Sequence, residues 1–171
     1  MARTLCPSRR AGKQAAAGAL TALAILSGCG GSGGFDTRVV RGAGFTFQAP
    51  VGWEVGRAQR TVTVNHGADV VQVRRSPLAR TYTPELFDRV QPEIERVAKQ
   101  LAGQLGVKLT GPRVLEVAGE RAWQFDYAHE GFQEQLTFVL RGNVEFQLYC
   151  RRAVNGDGGP CHRLVESFAL S

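Results

Sequence analysis

The chain has 171 residues, of which 21 are lysine or arginine and 15 are aspartate or glutamate, for a formal charge of +6. Hydrophobic residues make up 43 %, which excludes a disordered solvating polymer and is enough for one buried core. Arg3, Arg9, Arg10 and Lys13 all precede residue 29, so 17 basic residues face 15 acidic ones in the remainder, and that near-balance gives nucleic-acid binding no support.

The basic segment leads into an apolar run, Ala15 to Leu26, and then into Leu26-Ser27-Gly28-Cys29. A basic start, a short apolar stretch and small residues at a cleavage point are the parts of a secretory signal. The run falls short of the roughly 20 apolar residues that a membrane-spanning helix needs. A cysteine directly after these small residues resembles the lipobox of bacterial lipoproteins. The expectation is therefore a signal over 1–28, a lipidated Cys29 and a Gly/Ser tether over 29–37. Stable anchoring takes at least two acyl chains, which the resemblance to lipoproteins implies. The expected address is extracytoplasmic, on the bacterial cell membrane, with a single domain over 38–171.

Removing residues 1–28 removes Cys6, and acylation occupies Cys29, so Cys150 and Cys161 remain as a pair. Their spacing is not that of a redox CxxC motif. In an oxidising compartment they are expected to form a structural disulfide, worth about 3 kcal/mol by loop entropy.

Phe45-Thr46-Phe47-Gln48-Ala49-Pro50 alternates apolar and polar residues and is expected to be a strand, ended by Pro50 and Gly52. Trp53 to Val55, Thr61 to Val64 and Asp69 to Arg74 continue an antiparallel meander, with Asn65-His66-Gly67-Ala68 as a turn. The period then changes. Thr83-Pro84-Glu85 reads as a helix start, and Leu86, Val90, Ile94, Val97, Leu101 and Leu105 follow at three- and four-residue spacing. This predicts a surface helix over about 84–105, kinked near 88–92 by Pro92.

Three long strands are expected next. If Gly119-Glu120-Arg121 forms the first hairpin loop, Leu115 and Val117 share a face with Trp123, Phe125 and Tyr127. Glu130-Gly131 reads as a second turn. Arg141-Gly142-Asn143 reads as a third, a three-residue loop setting Leu140 opposite Val144. The opposite, polar face then carries Gln124, Asp126, Glu145, Gln147 and Tyr149, together with Thr137, and forms a candidate ligand surface. A short helix over about 160–168 closes the chain.

The words Phe45 to Trp53 (F-x-F-x-x-P-x-G-W) and Leu164 to Phe168 (L-x-E-S-F), with the element order between them, resemble the PsbP-like superfamily. That superfamily includes a photosystem II extrinsic subunit, a Ran-binding import factor and bacterial envelope lipoproteins. The resemblance implies an α+β fold, an α/β/α sandwich on a central antiparallel sheet. It implies binding or assembly work rather than catalysis, and no cofactor. No site residue carries over, because the shared words are packing words.

His66, His129 and His162 are the only histidines, too few and too dispersed for the convergent ligands of a metal centre. No G-x-S-x-G accompanies Ser76, Ser167 or Ser171, and the Gly30 to Gly34 tract has no phosphate-loop lysine. His129, facing Glu134 and near Asp126, is the one plausible acid–base centre. Arg151, Arg152 and Arg163 form a candidate basic cluster for anionic headgroups. The resulting expectation is a monomeric, non-catalytic binding or assembly module for an envelope protein or glycolipid. An enzyme using His129 and nearby carboxylates, or a structural subunit of an envelope complex, is the alternative.

Overall fold

The computed structural model describes residues 35–129 and 131–171. The expected signal segment and Cys29 lie outside the described residues. The elements run β1 (Thr37–Gly42), β2 (Phe45–Pro50), β3 (Glu54–Ala58), β4 (Thr61–His66) and β5 (Asp69–Tyr82). They continue with a single 3-10 turn (Pro84–Leu86), α1 (Phe87–Leu105), β6 (Lys108–Val117), β7 (Glu120–His129), β8 (Phe132–Ala153), α2 (Gly159–Ser167) and β9 (Ala169–Leu170). The fold is α+β. Six strands form an antiparallel sheet in the order β3-β4-β5-β8-β7-β6, and β1-β2-β9 form a second, smaller sheet.

The large sheet has a core on each side. On one face α1 lays Phe87, Ile94, Ala98 and Ala102 against Trp123, Phe125, Tyr127, Leu136, Phe138 and Leu140. On the other face β1, β2 and α2 bury Phe45, Phe47, Leu164 and Phe168 against Val64, Val73, Val139, Phe146 and Leu148. The α/β/α expectation is thus refined: one outer layer is a helix, while the other combines a small sheet with a helix. A disulfide joins Cys150 of β8 to Cys161 of α2 and pins that second layer to the large sheet.

The helix start is shifted. Thr83 precedes the 3-10 turn without a side-chain capping bond, and α1 itself begins at Phe87. The helix runs on through Pro92 and stops at Gly106, whose φ of 66° is the left-handed conformation that glycine supplies at low cost.

Two expected loops are different in the structure, and both change which side chains share a face. The β6–β7 hairpin turns on two residues, Ala118 (φ 53°) and Gly119 (φ 80°), so that Val117 pairs with Glu120. Two residues at positive φ are what a type I′ turn requires. Leu115 consequently opposes Ala122, and Leu115 and Val117 join the α2-side core, away from Trp123, Phe125 and Tyr127. Arg141-Gly142-Asn143 is no hairpin at all. It lies inside the 22-residue β8, whose first half pairs with β7 and whose second half pairs with β5. Gly142 sits at φ 55°, opposite Tyr82, beside an irregularity in the β5 register between Pro77 and Tyr82. Across this bulge the alternation slips: Leu136, Phe138 and Leu140 face α1, whereas Phe146, Leu148 and Cys150 face α2.

Candidate binding cavities on the two faces of the sheet

α1 packs on β6 and β7. At the C-terminal end of the helix a cavity of about 430 Å³ opens between it and the sheet. Leu101 and Leu105 of α1, Val107 of the connection and Leu136 of β8 supply its apolar wall. The polar end is built by strand register: Tyr127 stands opposite Glu134, and His129 opposite Phe132, on the face that Tyr149 and Arg151 also reach from the second half of β8. Leu105 remains 54 % exposed at the mouth, which leaves apolar surface available to a ligand or partner.

Glu134 is the unusual group here. It is only 7 % exposed, and its Oε1 lies 3.0 Å from His129 Nε2. A buried carboxylate needs hydrogen-bond partners to offset its lost hydration. Burial, and then the negative charge of Glu134, push the Tyr127 phenol up to about 12. The same two causes drive the Tyr149 phenol further above its ordinary range. Both tyrosines are therefore neutral hydrogen-bond donors at any physiological pH. The Arg151 Nε donates to the carbonyl of Ala68 at 2.9 Å, and its guanidinium stands 5.3 Å from the Phe132 ring centre. His129 and Glu134 are an oriented acid–base pair, and among the described residues of the lining there is no serine, threonine or cysteine. The arrangement is suited to holding an amphipathic group.

The five residues expected to make one polar surface are divided between the two faces. Gln124 and Asp126 point to the α2 side, while Glu145, Gln147 and Tyr149 point to the α1 side, because the bulge at Gly142 inverts the alternation of β8. Tyr149 enters the cavity just described. Glu145 and Gln147 lie farther along the sheet, where Gln147 pairs with Arg74 of β5 and donates its amide to Glu145 Oε1 at 2.6 Å. Burial raises the Glu145 carboxyl, against the opposing effects of Gln147 and Arg74.

His129 and Asp126 fall on opposite faces for the same reason of alternation, so Glu134 is the carboxylate that His129 meets. His66 stacks against Trp53, with ring centres 6.1 Å apart, and His162 pairs with Glu166 at 3.1 Å on the surface of α2. Among the described residues no three metal-ligating side chains converge. The expected basic cluster also separates. Arg151 is held toward Ala68 on the α1 face, whereas Arg152 is on the α2 face and donates to the carbonyls of Ala153, Val154 and Gly156 and to Gln133.

On the α2 face a trench lies between α2 and strands β6 and β7. Two adjoining hollows, of about 410 and 380 Å³, share Gln135, Arg152 and Cys161 in their walls. Gln124, 2 % exposed, forms part of the floor. Its side-chain oxygen accepts from Arg113, and its nitrogen donates to the Thr137 hydroxyl at 2.9 Å. Gln135 donates to Asp126 at 2.9 Å alongside. Sequence alternation identified Gln124 and Asp126 as polar strand residues, but α2, which makes the facing wall, comes from 35 residues further along the chain and left no local signal beside them.

No family model and no curated protein matches the sequence. Solved structures do match. The solution structure of cyanobacterial PsbP (CyanoP) from Synechocystis sp. PCC 6803 aligns over 85 % of this chain and 99 % of its own, with a TM-score of 0.60 at 14 % identity. A protein from Bacteroides thetaiotaomicron aligns over 80 % of this chain at 9 % identity and a TM-score of 0.49; the chain spans 48 % of that protein's length. LpqN of Mycobacterium tuberculosis, described as involved in cell envelope biogenesis, aligns over 80 % of this chain and 91 % of its own, at 11 % identity and a TM-score of 0.47. The likeness to CyanoP gives the chain a PsbP-like fold, at a sequence identity that speaks to fold alone.

Proposed function

We propose that this chain is an extracytoplasmic lipoprotein, anchored to the cell membrane through Cys29, whose domain is a non-catalytic binding or assembly module for an envelope protein or glycolipid. The observation that carries the reading is the cavity beneath α1, an apolar hollow with a polar end formed by His129, Glu134 and Tyr149. Its volume lies within the roughly 300–1,000 Å³ usual for small-molecule sites, and its composition favours binding over bond breaking. The Cys150–Cys161 disulfide supports the address, since such bonds persist in oxidising compartments. The lipobox-like Leu26-Ser27-Gly28-Cys29 supports the anchor.

The anchor is tested by fractionation. Cys29→Ser should leave the domain folded and release it from membranes; full retention of that variant in high salt refutes the anchor. The binding role is tested by photo-crosslinking from position 105 at the cavity mouth in intact cells. A recurrent adduct, lost when Leu101→Trp fills the cavity, is the expected result. Crosslinks unchanged by Leu101→Trp would remove the cavity from the reading. Turnover that disappears in both His129→Ala and Glu134→Gln would establish the enzyme alternative instead.

A further inference from the structure

The trench on the α2 face is a second site, backed by strand positions Tyr127 and Glu134, which also line the cavity beneath α1 on the other face of the sheet. We propose that it binds a neutral saccharide. This proposal is independent of the membrane anchor and of the cavity beneath α1.

The walls carry no excess of positive charge for an anion: Arg113 and Arg152 meet Asp126 and Glu166 on this face, while the other two acids of the lining, Glu116 and Glu134, occupy strand positions that face α1. Among the described residues no three metal-ligating side chains converge to hold a cation. Arg152 is already committed to three backbone carbonyls and to Gln133, so no pair of free guanidinium groups converges as phosphate recognition requires. What the trench offers instead is an alternating row of planar donors and acceptors: Arg113, Gln124, Asp126 and Gln135. The Gln124 amide uses one hydrogen on Thr137 and one acceptor position on Arg113, and retains one of each. A sugar hydroxyl both donates and accepts, so it satisfies such a row without leaving a buried group unpaired.

Packing points the same way. Ala122 and Val139, on the same face nearer the small sheet, are apolar and fully buried. The face becomes hydrogen-bonded only at Gln124 and Thr137, where the trench begins. Leu115 on β6 and Val165 on α2 give the trench apolar flanks for the C–H surface of a sugar ring. The two hollows adjoin, so the site accommodates more than one ring.

Saturation-transfer NMR on the full chain in detergent tests the proposal, with gluco-, manno-, galacto- and xylo-tetraoses as probes. Expected is saturable, millimolar or tighter binding of at least one, weakened about tenfold, or about 1.4 kcal/mol, in Arg113→Ala and in Asp126→Ala. His66→Ala, outside the trench lining, should bind as the parent does, and inorganic phosphate should not compete. Thermal unfolding verifies that each variant is folded; if Asp126→Ala is not, Gln135→Ala replaces it. Flotation with vesicles carrying a glucosyl diacylglycerol, against phosphatidylcholine vesicles, separates a free glycan from a lipid headgroup as the source. Failure of every tetraose and of the glycolipid vesicles overturns the proposal. So does binding that survives both trench variants, or that phosphate or an unstructured peptide displaces.

Discussion

The two faces of the large sheet are covered by different means, and the difference explains where each face stays open. Strands lie about 4.8 Å apart and a helix with its side chains is about 10–12 Å across, so one helix covers little more than two strands. α1 is that one helix, and it rests on β6 and β7. The remaining α1-side surface, over β4, β5 and the second half of β8, is left with Thr63, Gln72, Arg74, Glu145 and Gln147. The opposite face is covered by β1, β2 and α2 together, and its buried valines extend from β4 across to β8. Covalent attachment differs too: the disulfide holds α2, while α1 is held by packing, including the Phe87–Trp123 stack at 4.0 Å. A sheet closed by one helix leaves a cavity at the helix end; on the other face, the small sheet and α2 leave a trench between α2 and strands β6 and β7.

The largest effect should come from emptying either core. Phe125→Ala on the α1 side and Phe45→Ala on the α2 side should each cost about 3–5 kcal/mol in denaturant unfolding. Hydrogen exchange then discriminates: Phe125→Ala should first release α1 amides while β1 and β2 stay protected. Equal loss on both faces would mean that the layers unfold as one unit. Next, Cys150→Ser with Cys161→Ser should cost about 3 kcal/mol and loosen α2 rather than α1. An unchanged α2 exchange pattern would show that packing alone holds that layer.

The third test uses the tyrosines, because Tyr82, Tyr127 and Tyr149 all belong to the α1 side. The Tyr127 phenol, pushed from its usual 10 up to about 12, favours the folded state with its proton on. Stability is therefore whole below pH 10 and declines as pH rises toward 12, where the unfolded chain ionises and the folded one does not. Tyr127→Phe should flatten that decline, and an equally steep decline in the variant would assign it elsewhere. The smallest effect is expected at Gly142, where φ is 55° and a new Cβ meets nothing within 4 Å. Gly142→Ala should cost only the strain of an L residue in the left-handed region, about 1–2 kcal/mol. A negligible shift of the urea midpoint would show that the bulge relaxes to accommodate it.

The element order was largely legible because it depends on local periodicity. The apolar spacing from Leu86 to Leu105 has one structural solution, and Phe45, Phe47, Val62 and Val64 alternate as half-buried strands do. The candidate sites were legible only in pieces. His129 near Glu134 followed from counting back from a turn, and the structure places them 3.0 Å apart. The polar surface did not follow, since its unity depended on reading Arg141-Gly142-Asn143 as a loop. Glycine and asparagine between two apolar runs suit a hairpin and a bulge equally well, and only the pairing of β5 with β8 selects the bulge.

By itself, then, the sequence determined the parts: the helices, most of the strands and the sole pair of cysteines beyond the lipobox. These rest on residue spacing and composition, which are properties of short windows. The tertiary structure decided which side chains face one another. A one-residue difference in the turn at Ala118-Gly119 moved Leu115 and Val117 to the other face. A single bulge at Gly142 sent Gln124 and Asp126 into one site and Tyr149 into another. Because side chains alternate with a period of two, facing is a parity, and parity is set by contacts between strands that are distant in the chain.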